Sequence, residues 1–200
     1  MSTVKSKKLQ VGTDASASNN FTIYQPSTPD GTLRIGVGNA DSPTEVGRFT
    51  STGYKPATAP AFFSYPSSAV SVSSATPTKI PFNLTDFNTG DYDTTNYRFT
   101  PTVAGYYQVN AHAYFGTSVT DQQQVWIGLY KNGSAYMYAS VQNASGNDNL
   151  SPSISTLIYL NGSTDYVEIY VRHGQAGATK DAGSFGRAFN GFSAFLARAA

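Results

Sequence analysis

The chain has no cysteine, which excludes a disulfide-stapled scaffold and a thiolate metal site. Charge is scarce as well. Asp, Glu, Lys and Arg make up 12% of the residues, against about a quarter in an average soluble protein. With a net charge of +1 there is no basic surfeit to neutralise phosphates, so no nucleic-acid partner is expected. Long apolar runs are missing too. Nothing approaches the roughly 18 apolar residues of a membrane span, so no membrane partner is expected. The start, Met1-Ser-Thr-Val-Lys-Ser-Lys-Lys8, leads into no apolar run of secretory type, and synthesis in a cytoplasm is the expectation.

Catalytic groups are equally thin. His112 and His173 are the only histidines, and they fall in different strand-like segments with no carboxylate pattern beside them. Glu45 and Glu168 are the only glutamates, which disfavours the paired carboxylates of glycoside cleavage. No Gly-x-Ser-x-Gly elbow, P-loop or dinucleotide fingerprint is present. The sequence therefore predicts no catalytic residue, no cofactor, no metal site and no enzymatic activity. Asp86, Asp91 and Asp93 fall in one loop. Such oxygen clusters suit calcium, but the spacing is not that of an EF-hand, and a solvated turn is the competing reading. Asn-x-Ser/Thr triplets begin at Asn20, Asn83, Asn132, Asn143, Asn149 and Asn161. In an Asn-, Ser- and Thr-rich chain without a leader they reflect composition.

What the chain does have is aromatic residues and turns. It holds 14 Tyr and 12 Phe, with 18 Gly and 10 Pro, a mixture that favours strands joined by tight turns. From residue 61 onward apolar residues recur with the period of two of half-buried strands. Tyr107, Val109, Ala111, Ala113 and Phe115 share one face, as do Val125, Ile127 and Leu129, and Val167, Ile169 and Val171. Asn132-Gly133 and Asn161-Gly162 read as two-residue hairpin turns, whose type I′ geometry needs positive φ twice. No amphipathic helix is evident. The expected fold is all-β, an antiparallel jelly-roll sandwich.

Residues 1–60 differ. Lys5, Lys7 and Lys8 give a basic start; the strand-like pieces Phe21–Tyr24 and Leu33–Val37 flank a turn at Pro26, Pro29, Asp30 and Gly31; and Pro56 and Pro60 close the segment. It is too poor in apolar residues for a core of its own. It reads as an extended attachment arm with short hairpin strands, followed by a sandwich domain over residues 61–200.

Aromatic residues also occupy the strand positions opposite the aliphatic ones: Tyr114, Trp126, Tyr130, Tyr159, Tyr166, Tyr170 and Phe195. Left wet, they would form the kind of apolar surface that marks contact sites. They are the candidate residues of an interface between subunits.

The stretch Phe99-Thr-Pro-Thr-Val-Ala-Gly105-Tyr-Tyr107 follows an Asp- and Gly-rich loop at residues 88–95, and the chain closes on Phe189-Asn-Gly-Phe192-Ser-Ala-Phe195. In this order and spacing, with Phe87 and Asp93 upstream, the chain resembles the complement C1q-like and tumour necrosis factor-like jelly rolls. Val109 and Ala111 stand where that family usually has aromatics, and the aromatic expected between Asp93 and Phe99 is displaced to Tyr97. The resemblance implies a homotrimer. Gly105 is expected to take positive φ or to allow close backbone approach. A softer resemblance joins Asp30-Gly-Thr-Leu-Arg-Ile-Gly36 and Val46-Gly-Arg-Phe-Thr-Ser-Thr-Gly53 to repeat units of tailed-phage virion proteins.

Together these imply a non-enzymatic virion protein: a homotrimeric capsid decoration protein on the particle's outer surface. Its arm would grip the major capsid protein or another virion protein by adding strands to an exposed edge, with Phe21, Ile23, Leu33, Ile35, Val37 and Phe49 as anchors. The alternative is a trimeric fibre tip or adhesin that binds a host glycan or protein receptor. Absence of a repeat-built shaft favours decoration. The sequence names neither the host nor the virion location.

Overall fold

The computed structural model describes residues 7–16, 19–56, 59–120, 122–146 and 148–200. Lys5 of the basic start lies outside them. The chain divides into two compact units, Met1–Ala59 and Pro60–Ala200.

The first unit is a meander rather than an extended arm. Strands β1 (Lys8–Val11), β2 (Phe21–Tyr24), β3 (Leu33–Val37), β4 (Thr44–Thr50) and β5 (Gly53–Pro56) follow one another in one antiparallel sheet. Short turns make this possible. Asp30 accepts hydrogen bonds from the Thr32 backbone N–H and hydroxyl and from the Arg34 guanidinium. These hold its carboxyl down to about 2 and fix the β2–β3 connection. Buried Asn20 ties β1 to β2, donating to the Asp14 carbonyl and accepting from the Asp14 N–H. Because β2 and β3 are interior strands paired on both sides, their backbones have no free edge to add to another sheet. Only β1 and β5 do.

The second unit is a sandwich. One sheet runs β10 (Tyr92–Asp93), β11 (Arg98–Phe99), β16 (Val167–His173), β13 (Gln124–Lys131) and β14 (Ser134–Gln142), with β8 (Thr78–Lys79) also on β16. The other runs β15 (Ser153–Asn161), β12 (Ala104–His112), β18 (Gly191–Ala199), β6 (Ala61–Tyr65) and β9 (Leu84–Asn88). A ribbon of β7 (Val70–Ser73) and β17 (Thr179–Ala182) flanks them. The alternation read from sequence sets the core: Tyr107, Val109 and Ala111 from one sheet face Val125, Ile127, Leu129, Val167, Ile169 and Val171 from the other, all buried. Aromatic rings fill one end. Phe62 stacks on Tyr92 with centroids 4.2 Å apart, and Phe99 meets the Tyr107 ring edge-on at 5.4 Å.

Two sequence expectations need correction here. Asn132-Gly133 is the I′ turn expected, with φ of 52° and 76°, and it joins the paired strands β13 and β14. Asn161-Gly162 is not a hairpin turn. Only Gly162 takes positive φ, and β15 and β16 belong to different sheets. The Asn161 side chain instead accepts from the N–H groups of Ser163, Thr164 and Asp165 and rounds off a wider corner. The upstream aromatics also shift. Phe82 and Tyr92 are the buried ones. Phe87 is exposed and Tyr97 is half-buried with φ of 55°.

Candidate interaction surfaces

The outer face of the β15–β12–β18 sheet carries uncovered apolar side chains. Tyr106 and Tyr159 sit opposite each other on β12 and β15, ring centroids 5.6 Å apart, edge to face. Leu157 lies one outward position along from Tyr159, and Phe195 pairs with Gln108 across β12 and β18. All four are exposed, Leu157 to 54%. A polar cluster borders them: the Gln108 amide donates to Asn110 Oδ1 and Ser155 Oγ, and Ser155 Oγ donates to Asn110 Oδ1.

A second uncovered surface is the edge strand β14. Met137 and Val141 pair with Leu129 and Val125 and so point to the core side of their sheet, yet both are more than a third exposed.

The outer face of β14–β13–β16 forms an aromatic platform. Tyr130 stacks on Tyr170 at 4.1 Å, and its hydroxyl lies 2.6 Å from that of Tyr138. Burial, with the Tyr138 hydrogen bond, pushes the Tyr130 phenol up to about 12. The Tyr138 ring lies over Gly128, where a Cβ would come within 2.6 Å of it. Trp126 carries the Arg172 guanidinium 4.9 Å from its ring. Glu168, buried under this layer, is held by Lys79 at 2.6 Å.

The proposed interface residues therefore do not form one patch. Tyr159 and Phe195 share the first surface. Trp126, Tyr130 and Tyr170 share the platform. Tyr166 lies in the β15–β16 corner under the Arg98 guanidinium, at 4.9 Å. Tyr114 packs on Phe189 and Phe185 at one end of the sandwich, where Phe185 is exposed in a left-handed conformation. The sequence alternation does not single out Tyr106, Leu157 and Tyr138, which the structure leaves exposed. The unbroken apolar run Leu157-Ile-Tyr-Leu160 was a usable signal, since a strand apolar at every position shows an apolar side chain on both faces.

The anchor residues of the first unit do share a surface. The pairing of β2, β3 and β4 places Phe21, Ile23, Leu33, Ile35, Val37 and Phe49 on one face of its sheet.

The carboxylates of the candidate calcium loop are not gathered. Asp86 pairs with Arg187, Asp91 accepts from the Thr102 N–H, and Asp93 accepts from the N–H groups of Thr95 and Asn96. Among the described residues no group of three or more His, Asp or Glu is placed to hold a metal. His112 and His173 are also apart: His173 is buried against the Val72 carbonyl, while His112 pairs with Gly191 on the other sheet. Among the described residues no helix is long and apolar enough to cross a membrane.

A comparison with curated proteins gives no match. Solved structures do match the sandwich. The globular domain of zebrafish complement 1qA superposes with a TM-score of 0.54 at 19% identity, over 72% of this chain and all of that one. Eiger TNF from S. frugiperda matches with a TM-score of 0.52 at 12% identity, over 71% of this chain and 94% of its own. Murine APRIL gives 0.51 at 12% identity, over 70% and 99%. These likenesses show the jelly-roll fold. Residues 61–193 further match the C1q domain as a family, and by that match the chain belongs to the C1q-domain family.

Proposed function

We propose that this chain is a non-enzymatic structural protein of a phage particle: a homotrimer on the outer surface of the capsid, joined to the particle through its first unit after synthesis in the host cytoplasm. The observation that carries the reading is the uncovered face of Tyr106, Leu157, Tyr159 and Phe195. A monomer gains nothing from holding large apolar residues there. The edge strand β14 supplies a second, different apolar surface in Met137 and Val141. Two unlike patches favour a heterologous contact, the face of one copy against the edge of the next, and such contacts close into a ring where the rotation between copies allows it. A ring of three is what the C1q-like family implies. The particle surface follows from the resemblance of residues 30–53 to tailed-phage virion proteins. Light scattering of the purified chain should give about three times 21.3 kDa at micromolar concentration, and the trimer should co-sediment with capsids that lack it. A soluble monomer, or a trimer that ignores such capsids, would refute the reading.

The aromatic platform favours a second reading, in which the trimer binds a host glycan. Exposed Tyr138 beside Tyr130, Tyr170 and Trp126 offers ring faces for sugar C–H groups, and the Arg172 guanidinium over Trp126 offers a polar partner. A glycan array probed with the native chain and with Tyr138→Ala tests this; identical, empty arrays remove the glycan reading.

A further inference from the structure

The sheet of the first unit has one polar and one apolar face, and the apolar one is bare. Register places Leu9, Val11, Phe21, Ile23, Leu33, Ile35, Val37, Phe49 and Tyr54 on the same side. Seven of these are at least 36% exposed, and Ile35 and Val37 are half-buried. The buried apolar core begins at Phe62, and no described residue of the first unit belongs to it. The other face is already satisfied. Arg34 pairs with Asp30 and Glu45, Arg48 pairs with Glu45, and Tyr24 and Pro43 cover Gly36. A single β layer with an open apolar face is not a stable end state, because the face must be buried on something.

We propose that this face is closed by the same face of two further copies of this chain, three sheets forming the walls of a three-sided prism with the apolar residues inside and the Arg–Glu–Arg face outside. The inference rests on the trimer reading above. Three features choose this occupant over the capsid. First, no side chain on the apolar face is charged, so like faces meet without repulsion, which the opposite face could not do. Second, β5 ends at Pro56 and β6 begins at Ala61. Three sandwich domains in one trimer therefore hold three sheets on tethers of a few residues, an effective concentration in the millimolar range. Third, the chain has to stay in solution before it meets a particle, and a bare apolar sheet is an aggregation surface. A partner made of the same chain is present from the moment of folding.

The absence of cysteine makes the test direct. Val11→Cys, Phe21→Cys and Leu33→Cys each place one thiol on the apolar face of the full-length chain, and Lys55→Cys places one on the polar face. Mass is read by light scattering and thiol accessibility by a water-soluble maleimide. In a trimer, the apolar-face thiols should label about tenfold or more slowly than Lys55→Cys, as expected where reaction needs local opening. A short bis-maleimide should join them between chains. Using three positions keeps the test alive if one variant folds poorly by circular dichroism. A trimer whose apolar-face thiols label as fast as Lys55→Cys overturns the prism and leaves the trimer standing. A monomer overturns the trimer reading and the prism with it. Fast labelling in the free trimer that becomes slow on capsids makes the capsid protein the occupant and also overturns the prism.

Discussion

Tyr106 and Tyr159 meet edge to face, 5.6 Å between ring centroids, on the outside of the sandwich where neither helps the core. Aromatic pairs of this geometry add about 0.5–1.5 kcal/mol beyond their burial, yet here the rings remain more than two-fifths exposed. Placing a charge there should separate subunits without unfolding them. Tyr159→Asp and Leu157→Asp are expected to give folded protein of one chain's mass, with an unchanged far-ultraviolet spectrum. A variant that stays trimeric would move the interface away from this sheet.

Gly105 sits in β12 in extended conformation, and its constraint is contact rather than positive φ. A Cβ there would overlap the Arg198 carbonyl oxygen and come within 2.8 Å of Leu196 Cδ1 and 3.0 Å of the Ala199 α-carbon. The backbone next to it already shifts register between Tyr106 and Tyr107. Gly105→Val should cost roughly 1–3 kcal/mol through overpacking, or a fall of roughly 2–4 °C in Tm per kcal/mol for a domain of this size. An unchanged Tm would show that β18 can move aside.

His173 makes stability depend on pH. Burial pushes its imidazole below the ordinary value; the Val72 carbonyl, which accepts its Nε2–H, works against this, and nearby Lys180 adds to the depression. Its Nδ1 has no partner, so a second proton would be a buried donor with no acceptor. The unfolded chain takes that proton at a higher pH than the folded one does. Stability from this group is thus present above the unfolded value of about 6.5 and is lost as pH falls below it toward the lower folded value. His112, also depressed by burial, acts in the same direction. Urea midpoints should fall between pH 7 and pH 5, and fall less in His173→Gln. A flat profile would contradict the buried neutral imidazole.

How much of this was legible in the sequence differs by unit. In the sandwich, the period of two around Val109, Ile127 and Ile169 located the core, because one-sided burial writes itself into alternate positions. The corner after Asn161 departs from the sequence expectation because Asn-Gly has the same local signal whether the next strand pairs with the last or crosses to the other sheet. Strand alternation gives a face and not a sheet, so it treats Trp126 and Tyr159 alike although they stand on different sheets of the sandwich. In the first unit, the alternating apolar positions single out Phe21, Ile23, Leu33, Ile35, Val37 and Phe49 as candidate contact residues. That they form one face depends on the two registers that join β2, β3 and β4, which no local pattern encodes.

The last prediction separates the units. Every fully buried large side chain lies at Phe62 or beyond, and β6 enters its sheet at Ala61 beside Phe195. Removing residues 1–59 takes away no strand of either sandwich sheet. The shortened chain should fold, unfold in one transition, and still trimerise through Tyr106, Leu157, Tyr159 and Phe195. It should also lose capsid binding, since the sites left on the sandwich would be its subunit contacts and its aromatic platform. Because a single-layer sheet adds area but no enclosed core of its own, the truncated trimer should dissociate at higher protein concentration than the full chain, by the amount the first units contribute together. Equal dissociation concentrations would mean that the first units do not meet in the trimer, and retained capsid binding would place the attachment surface on the sandwich.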